Sequence, residues 1–163
     1  MAPPTPAVAA LVRAGVTHSV HRYDHDPAAT SYGQEAADAL AVAPERIFKT
    51  LIVSDGARLL VAVVPVSGAL DLKAFATAAG VKRASMADAT AAERSTGYVL
   101  GGISPLGQKH ALTTVVDETA SRWPTIFVSG GRRGLELELA PDDLLATTRA
   151  RYAPIGRTEP GSG

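Results

Sequence analysis

Ile47-Phe48-Lys49-Thr50-Leu51-Ile52-Val53-Ser54, then Asp55-Gly56-Ala57, then Arg58-Leu59-Leu60-Val61-Ala62-Val63-Val64-Pro65 is the stretch that decides the fold. Two runs of β-branched and aliphatic residues flank a turn sequence, the pattern of an antiparallel hairpin. Alternation puts Lys49 with Leu51 and Val53 on one face and Phe48, Thr50 and Ile52 on the other. A lysine among aliphatic neighbours has two readings: a charge that guards a strand edge against aggregation, or a cation kept for chemistry.

Working outward, Thr5-Pro6 before residues 7–14 and Gly15 after them supply the cap, first-turn proline and terminal glycine of a helix. Residues 18–23 alternate as a strand, and Asp24-His25-Asp26-Pro27 ends it with turn chemistry. Ser31 and Gln34 have the spacing of a capping box ahead of a helix through Leu40. Asp71 caps residues 72–79, with Gly80 as the stop, and Thr90 with Glu93 suits the start of another short helix. Residues 112–116, 125–128 and 135–139 read as strands, and Pro141-Asp142-Asp143 opens a last helix through about Ala150. Helices and strands are interspersed without a regular βαβ rhythm. This predicts a single α+β domain over residues 1–153, with a mixed, barrel-like β-sheet surrounded by helices. Residues 154–163 are expected to form a mobile tail.

Composition narrows the function. Sixteen basic and sixteen acidic residues cancel, so the chain lacks the broad positive surface of a protein that grips nucleic acid tightly. With no cysteine, disulfides, thiolate metal sites and a cysteine nucleophile are excluded. His18, His21, His25 and His110 do not make a metal set, because three of them share a strand and turn that point them in alternating directions. Neither a metal nor a cofactor is expected. No apolar run reaches the length of a membrane span, and Met1-Ala2-Pro3-Pro4 lacks the basic and apolar regions of a secretory signal. The expected setting is the cytoplasm, away from membranes, and the sequence leaves the oligomeric state open.

Gly101-Gly102-Ile103-Ser104-Pro105-Leu106-Gly107 is too glycine-rich for a helix or strand and too apolar for a linker. Such a loop either packs as a crossover or presents backbone N–H groups to a carbonyl, carboxylate or phosphate. Ser104 lacks the Gly-x-Ser-x-Gly setting of a hydrolase nucleophile, and neither a phosphate loop nor a dinucleotide fingerprint is present. What remains is a set of hydrogen-bond donors and one lysine without a strong nucleophile, which suits a substrate already activated, such as an ester.

At these residues the chain resembles the YbaK/EbsC family of aminoacyl-tRNA deacylases, free-standing relatives of the editing domain inserted in bacterial prolyl-tRNA synthetases. The resemblance runs in order over about residues 5–153, through His21-Arg22-Tyr23-Asp24-His25-Asp26, Phe48-Lys49-Thr50-Leu51, Ser95-Thr96-Gly97-Tyr98, the loop from Gly101 to Lys109, and Ser129-Gly130-Gly131-Arg132-Arg133-Gly134-Leu135. It implies trans-editing of Cys-tRNA(Pro), with Cys-tRNA(Cys) as a further substrate. A cysteine so close to proline in size escapes rejection by fit alone. It also implies that Lys49 is the essential lysine and that the Gly101 backbone meets the substrate carbonyl. Tyr23, Phe48, Thr50, Gly102, Ser104, Ser129 and Glu136 are expected to contact substrate, Glu136 standing where the family commonly has aspartate. The implied mechanism is self-attack by the substrate thiol on its own ester, with direct water attack as a second route. The implied partners are the acceptor end of a mischarged tRNA and prolyl-tRNA synthetase. Two rivals stay open: a non-catalytic module that binds acceptor ends or a synthetase, and a deacylase for another small amino acid, as on Ala-tRNA(Pro).

Overall fold

The computed structural model describes residues 4–29 and 31–158. Its five helices are α1 (Pro6–Ala14), α2 (Tyr32–Leu40), α3 (Leu72–Ala79), α4 (Ala89–Thr96) and α5 (Pro141–Thr148). Its ten strands are β1 (His18–Arg22), β2 (Phe48–Ser54), β3 (Leu59–Pro65), β4 (Gly68–Leu70), β5 (Ser85–Met86), β6 (Thr114–Asp117), β7 (Ile126–Ser129), β8 (Leu135–Leu139), β9 (Arg151–Ala153) and β10 (Gly156–Thr158). The expected caps are present where side chains supply them. Thr5 accepts from the Val8 N–H, Ser31 from Gln34 and Asp71 from Ala74. For α4 the cap is Asp88, two residues ahead of the Thr90 start read from the sequence.

The hairpin forms as expected, in the register Phe48↔Pro65 through Ser54↔Leu59. It is the centre of a five-stranded sheet in the order β5-β2-β3-β6-β9. β3 and β6 run parallel, as do β6 and β9. This sheet is covered on both sides. Val61, Val63 and Val116 face a core shared with α1 and α5, while Leu60, Ala62, Val64 and Val115 face Phe75 of α3. Burial of both faces explains why β3 reads as an unbroken apolar run rather than an alternating one. A second sheet, β1-β8-β7, is antiparallel throughout, and β10 pairs with β4 in a third. The expected barrel does not close among the described residues: the three sheets are separate, joined by side-chain packing and one bridge, Ile47↔Phe127.

The expected mobile tail is the other correction. Ile155 is fully buried, and Gly156–Thr158 pair with Leu70 to Gly68, so the folded unit runs on to Thr158; residues 159–163 lie outside the described residues. Asp117 holds this extension. One of its carboxylate oxygens accepts from the N–H groups of Ile155 (3.0 Å) and Gly156 (2.8 Å), and the other from the Thr119 hydroxyl at 2.5 Å. Removing that carboxylate takes away the partner of the Gly156 N–H and one of two acceptors at the Ile155 N–H, which also donates to the Ala153 carbonyl at 3.0 Å. Asp117→Ala is expected to cost about 1–3 kcal/mol of stability, read by urea denaturation. It should also raise amide hydrogen exchange at Ile155 well above that of the β2–β3 hairpin; unchanged exchange there would contradict the clamp.

Candidate active site

The bridge between Ile47 and Phe127 sets the start of β2 against the β1-β8-β7 sheet. A cavity of about 260 Å³ opens at this junction, walled by β2, by the beginning of α2, by the glycine loop and by the β7–β8 turn. Ile47, Phe48, Lys49, Thr50 and Leu51 all border it, five residues in succession. Alternation alone would select every second one. The reason is that β5 pairs with β2 only at Val53 and Ser54, so the first half of β2 offers an open strand edge to the cavity.

Seven of the nine residues singled out in the sequence meet here: Tyr23, Phe48, Lys49, Thr50, Gly101, Ser129 and Glu136. Ser129 and Glu136 face each other across the β7–β8 pair, and the Ser129 hydroxyl accepts from the Gly131 N–H at 3.2 Å. Gly102 and Ser104 do not border the cavity. The Gly102 N–H donates to the Val99 carbonyl at 3.0 Å, and Ser104, fully buried, accepts from the Leu106 N–H at 3.2 Å. Both brace the loop from within. Tyr32, Val66, Leu100 and Arg132 are also part of the wall, with Ser31, Gly33, Ile103 and Leu135, and sequence reasoning assigned none of the eight to the site, Arg132 being quoted only within the Ser129–Leu135 stretch. Tyr32 had a local signal, following the helix cap at once, whereas Val66 and Arg132 come near only through long-range pairing.

The loop is both things that its composition allowed. Its second half is a packed crossover, in which Tyr98 donates to the Leu106 carbonyl at 2.6 Å and a Cβ on Gly107 would lie 2.3 Å from the Pro6 oxygen. Its first half is cavity wall. Gly101 has φ +84°, and a Cβ there would lie 2.6 Å from the Tyr32 ring and 2.5 Å from Nε of Arg133.

Two buried side-chain oxygens lack a hydrogen-bond partner among the described residues, Thr50 Oγ1 and Glu136 Oε2, and both residues border this cavity. Buried polar groups are ordinarily satisfied by protein or ordered water, so the pair leaves hydrogen-bonding capacity beside the cavity. Burial raises the Glu136 carboxyl to about 8, so near neutral pH it is mostly the uncharged acid, able to donate as well as accept. Burial likewise pushes up the Tyr23 phenol, with the charge of Glu136 adding to the effect. Among the described residues that line it, the cavity has no histidine or cysteine side chain. It can orient an ester and stabilise developing charge, and it supplies no nucleophile paired with a base.

The family follows from comparison with known proteins. Residues 25–147 match the aminoacyl-tRNA editing domain, and the chain belongs to that family. It is 39% identical over 127 residues, 77% of each chain, to a protein of Enterococcus faecalis (strain ATCC 700802 / V583) named as a candidate Cys-tRNA(Pro)/Cys-tRNA(Cys) deacylase, EbsC. Among solved structures it matches the hypothetical protein APE2540 with a TM-score of 0.84 at 27% identity, over 94% of this chain and 100% of that one. It also shares the fold of a candidate trans-editing enzyme for prolyl-tRNA synthetase, with a TM-score of 0.80 at 24% identity over 96% and 99% of the two chains.

The raised Glu136 carboxyl has a consequence for stability. Below its ordinary value of 4.5 the folded and unfolded chains both hold the proton. Between there and about 8 the unfolded chain has released it and the folded one has not. Stability therefore falls as pH rises through this window, by up to about 1.4 kcal/mol per pH unit for one proton. Glu136→Gln is expected to remove that slope, so that thermal melts of variant and wild type diverge from pH 5 to pH 8 in favour of the variant. Parallel melting curves would show that the carboxyl ionises freely in the fold.

Proposed function

We propose that this protein is an editing deacylase that clears cysteine from Cys-tRNA(Pro), with Cys-tRNA(Cys) as a second substrate. The observation that carries the reading is the pair of unpartnered oxygens, on Thr50 and Glu136, inside a small cavity that Lys49 and Gly101 also border. A site so furnished holds a small polar group and offers it donors. It leaves the attacking atom to the substrate or to water.

In this reading the aminoacyl ester enters with its carbonyl against the backbone at Gly101. The cysteine thiol, with an ordinary pKa of about 8.5, loses its proton more readily beside the Lys49 ammonium. The thiolate sulfur attacks the ester carbonyl, the C–S bond forms, the C–O bond to the ribose breaks, and a proton passes to the departing ribose oxygen. Water later opens the cyclic thioester to free cysteine. Proline has no thiol, so correctly charged tRNA survives by chemistry even where fit does not exclude it. Recruitment by prolyl-tRNA synthetase belongs to the same proposal, because a chain with zero net charge has little long-range attraction for RNA.

Deacylation of Cys-tRNA(Pro), Cys-tRNA(Cys), Ala-tRNA(Pro) and Pro-tRNA(Pro) by substoichiometric protein tests the reading. Repeated turnover is expected on both cysteinyl substrates and little on the other two. Lys49→Ala should lower the rate on Cys-tRNA(Pro) by about 10²-fold or more while circular dichroism and melting temperature stay at wild-type values. Stoichiometric protection without turnover would instead identify a binding module. Efficient cleavage of Ala-tRNA(Pro) would replace thiol attack by water attack. Added prolyl-tRNA synthetase is expected to raise kcat/KM on Cys-tRNA(Pro) alone.

A further inference from the structure

The ester of an aminoacyl-tRNA is carried on its terminal ribose, so whatever holds the aminoacyl group must meet the terminal nucleoside within a few bonds. At about 260 Å³ the cavity falls below the roughly 300–1,000 Å³ of pockets that enclose drug-sized ligands. Aminoacyl group, ribose and purine together exceed it. The base must lie at the mouth.

The mouth has an unusual construction. Arg133, in the β7–β8 turn, places its guanidinium carbon 4.2 Å from the centre of the Tyr32 ring and donates from Nη2 to the Leu100 carbonyl at 2.7 Å. One exposed side chain thus joins the start of α2, the glycine loop and the β7–β8 turn, which are far apart in sequence. Gly101 fits beneath it only for want of a Cβ. Beside this stack Val99 and Leu100 leave 60% and 43% of their surface exposed, two of four large hydrophobic residues so exposed among those described. Bracing the loop accounts for the Arg133 contacts but not for two adjacent uncovered aliphatic side chains. Arg132 borders the cavity next door, so a chain of zero net charge gathers two cations at this rim.

We propose that Leu100 and the Tyr32–Arg133 stack form the subsite for the 3′-terminal nucleoside of the RNA, with the base laid on the guanidinium plane and the Leu100 side chain. Arg132 faces the neighbouring phosphate. The inference rests on the editing reading for its choice of occupant. Unpaired bases are bound in this way, on flat cationic or aromatic groups with apolar support, and a guanidinium already held flat against a ring is ordered for the purpose. An aliphatic patch beside it would otherwise suit a protein partner, an outcome the test separates.

The probe is an uncharged acceptor-stem hairpin ending in CCA, with 2-aminopurine in place of the terminal adenine, together with the same hairpin lacking the last nucleotide. Wild-type protein is expected to quench the probe on binding. Leu100→Ser, which leaves the backbone carbonyl and its bond to Arg133 in place, should weaken binding of the full hairpin about tenfold, the scale of one lost stacking contact. It should bind the shortened hairpin as wild type does. Arg133→Lys keeps the charge and loses the plane, so the quench should fall even where affinity is partly kept. Full quenching by both variants, or an equal loss on both hairpins, would overturn the subsite. So would normal hairpin binding by Leu100→Ser accompanied by lost stimulation by prolyl-tRNA synthetase, which would make the patch a protein contact. Because the hairpin carries no ester, quenching by a wild-type protein that fails to deacylate would sink the catalytic reading and leave the nucleoside subsite standing.

Discussion

The pairing of Ile47 with Phe127 is the contact on which the site depends, because it is the bridge between the five-stranded sheet and the β1-β8-β7 sheet. It brings Lys49 and Thr50, from a local hairpin, up to Ser129 and Glu136, which arrive some eighty residues later in the chain. The small cluster of Ala36, Ala37, Ile47 and Phe127 seals this joint. A polar network lies on the same side: His21 meets Glu138 at 2.9 Å, Arg46 meets it at 3.2 Å, and the Arg46 guanidinium sits 5.2 Å from the centre of the Phe127 ring. The ion pairs are partly exposed and contribute modestly to stability.

The glycine loop joins the same junction to the rest of the fold. Its buried half is pinned between Tyr98 and the start of α1, where Thr5 also donates to the Gly130 carbonyl at 2.5 Å. A wall made of backbone differs from a wall made of side chains in this respect: it keeps no rotamer freedom to lose when the substrate binds. Most of the Gly101–Gly107 stretch is engaged in holding its own shape, and that is what allows one end of it to serve as a fixed surface.

Much of this architecture was legible in the sequence. The hairpin, the helix caps at Thr5, Ser31 and Asp71, and the α+β class came from local rules that need only neighbouring residues. The short strands β4, β5, β9 and β10 escaped because three or fewer residues carry no readable period, and β10 is held by the distant Asp117 carboxylate. Closure into a barrel was a statement about which edges meet, and local patterning does not determine that. At the site, the resemblance gathered Lys49, Tyr23, Ser129 and Glu136, while the two readings of Lys49 as edge guard or functional cation were inseparable from alternation alone. The structure shows why: the first half of β2 is an uncovered edge, and that edge is also the wall of the cavity. Ser104 and Gly102 share a motif with Gly101, but motif membership does not tell a residue that faces the ligand from one that braces the loop.

A buried group without a partner costs about 1–3 kcal/mol, and this domain carries two of them within one small cavity. Nothing in the packing demands either. A valine at position 50 and a leucine at position 136 would fill similar space and leave no unmet hydrogen bond. Retaining a hydroxyl and a carboxyl there makes sense where a ligand completes them, and the carboxyl is the more telling of the two. Held neutral by burial, it adds a donor to the cavity without adding a negative charge. In the proposed reaction a thiolate and then an oxyanion develop in this cavity, and a carboxylate beside them would repel both. A deeply buried acid bordering the same cavity is compatible with both only while it keeps its proton.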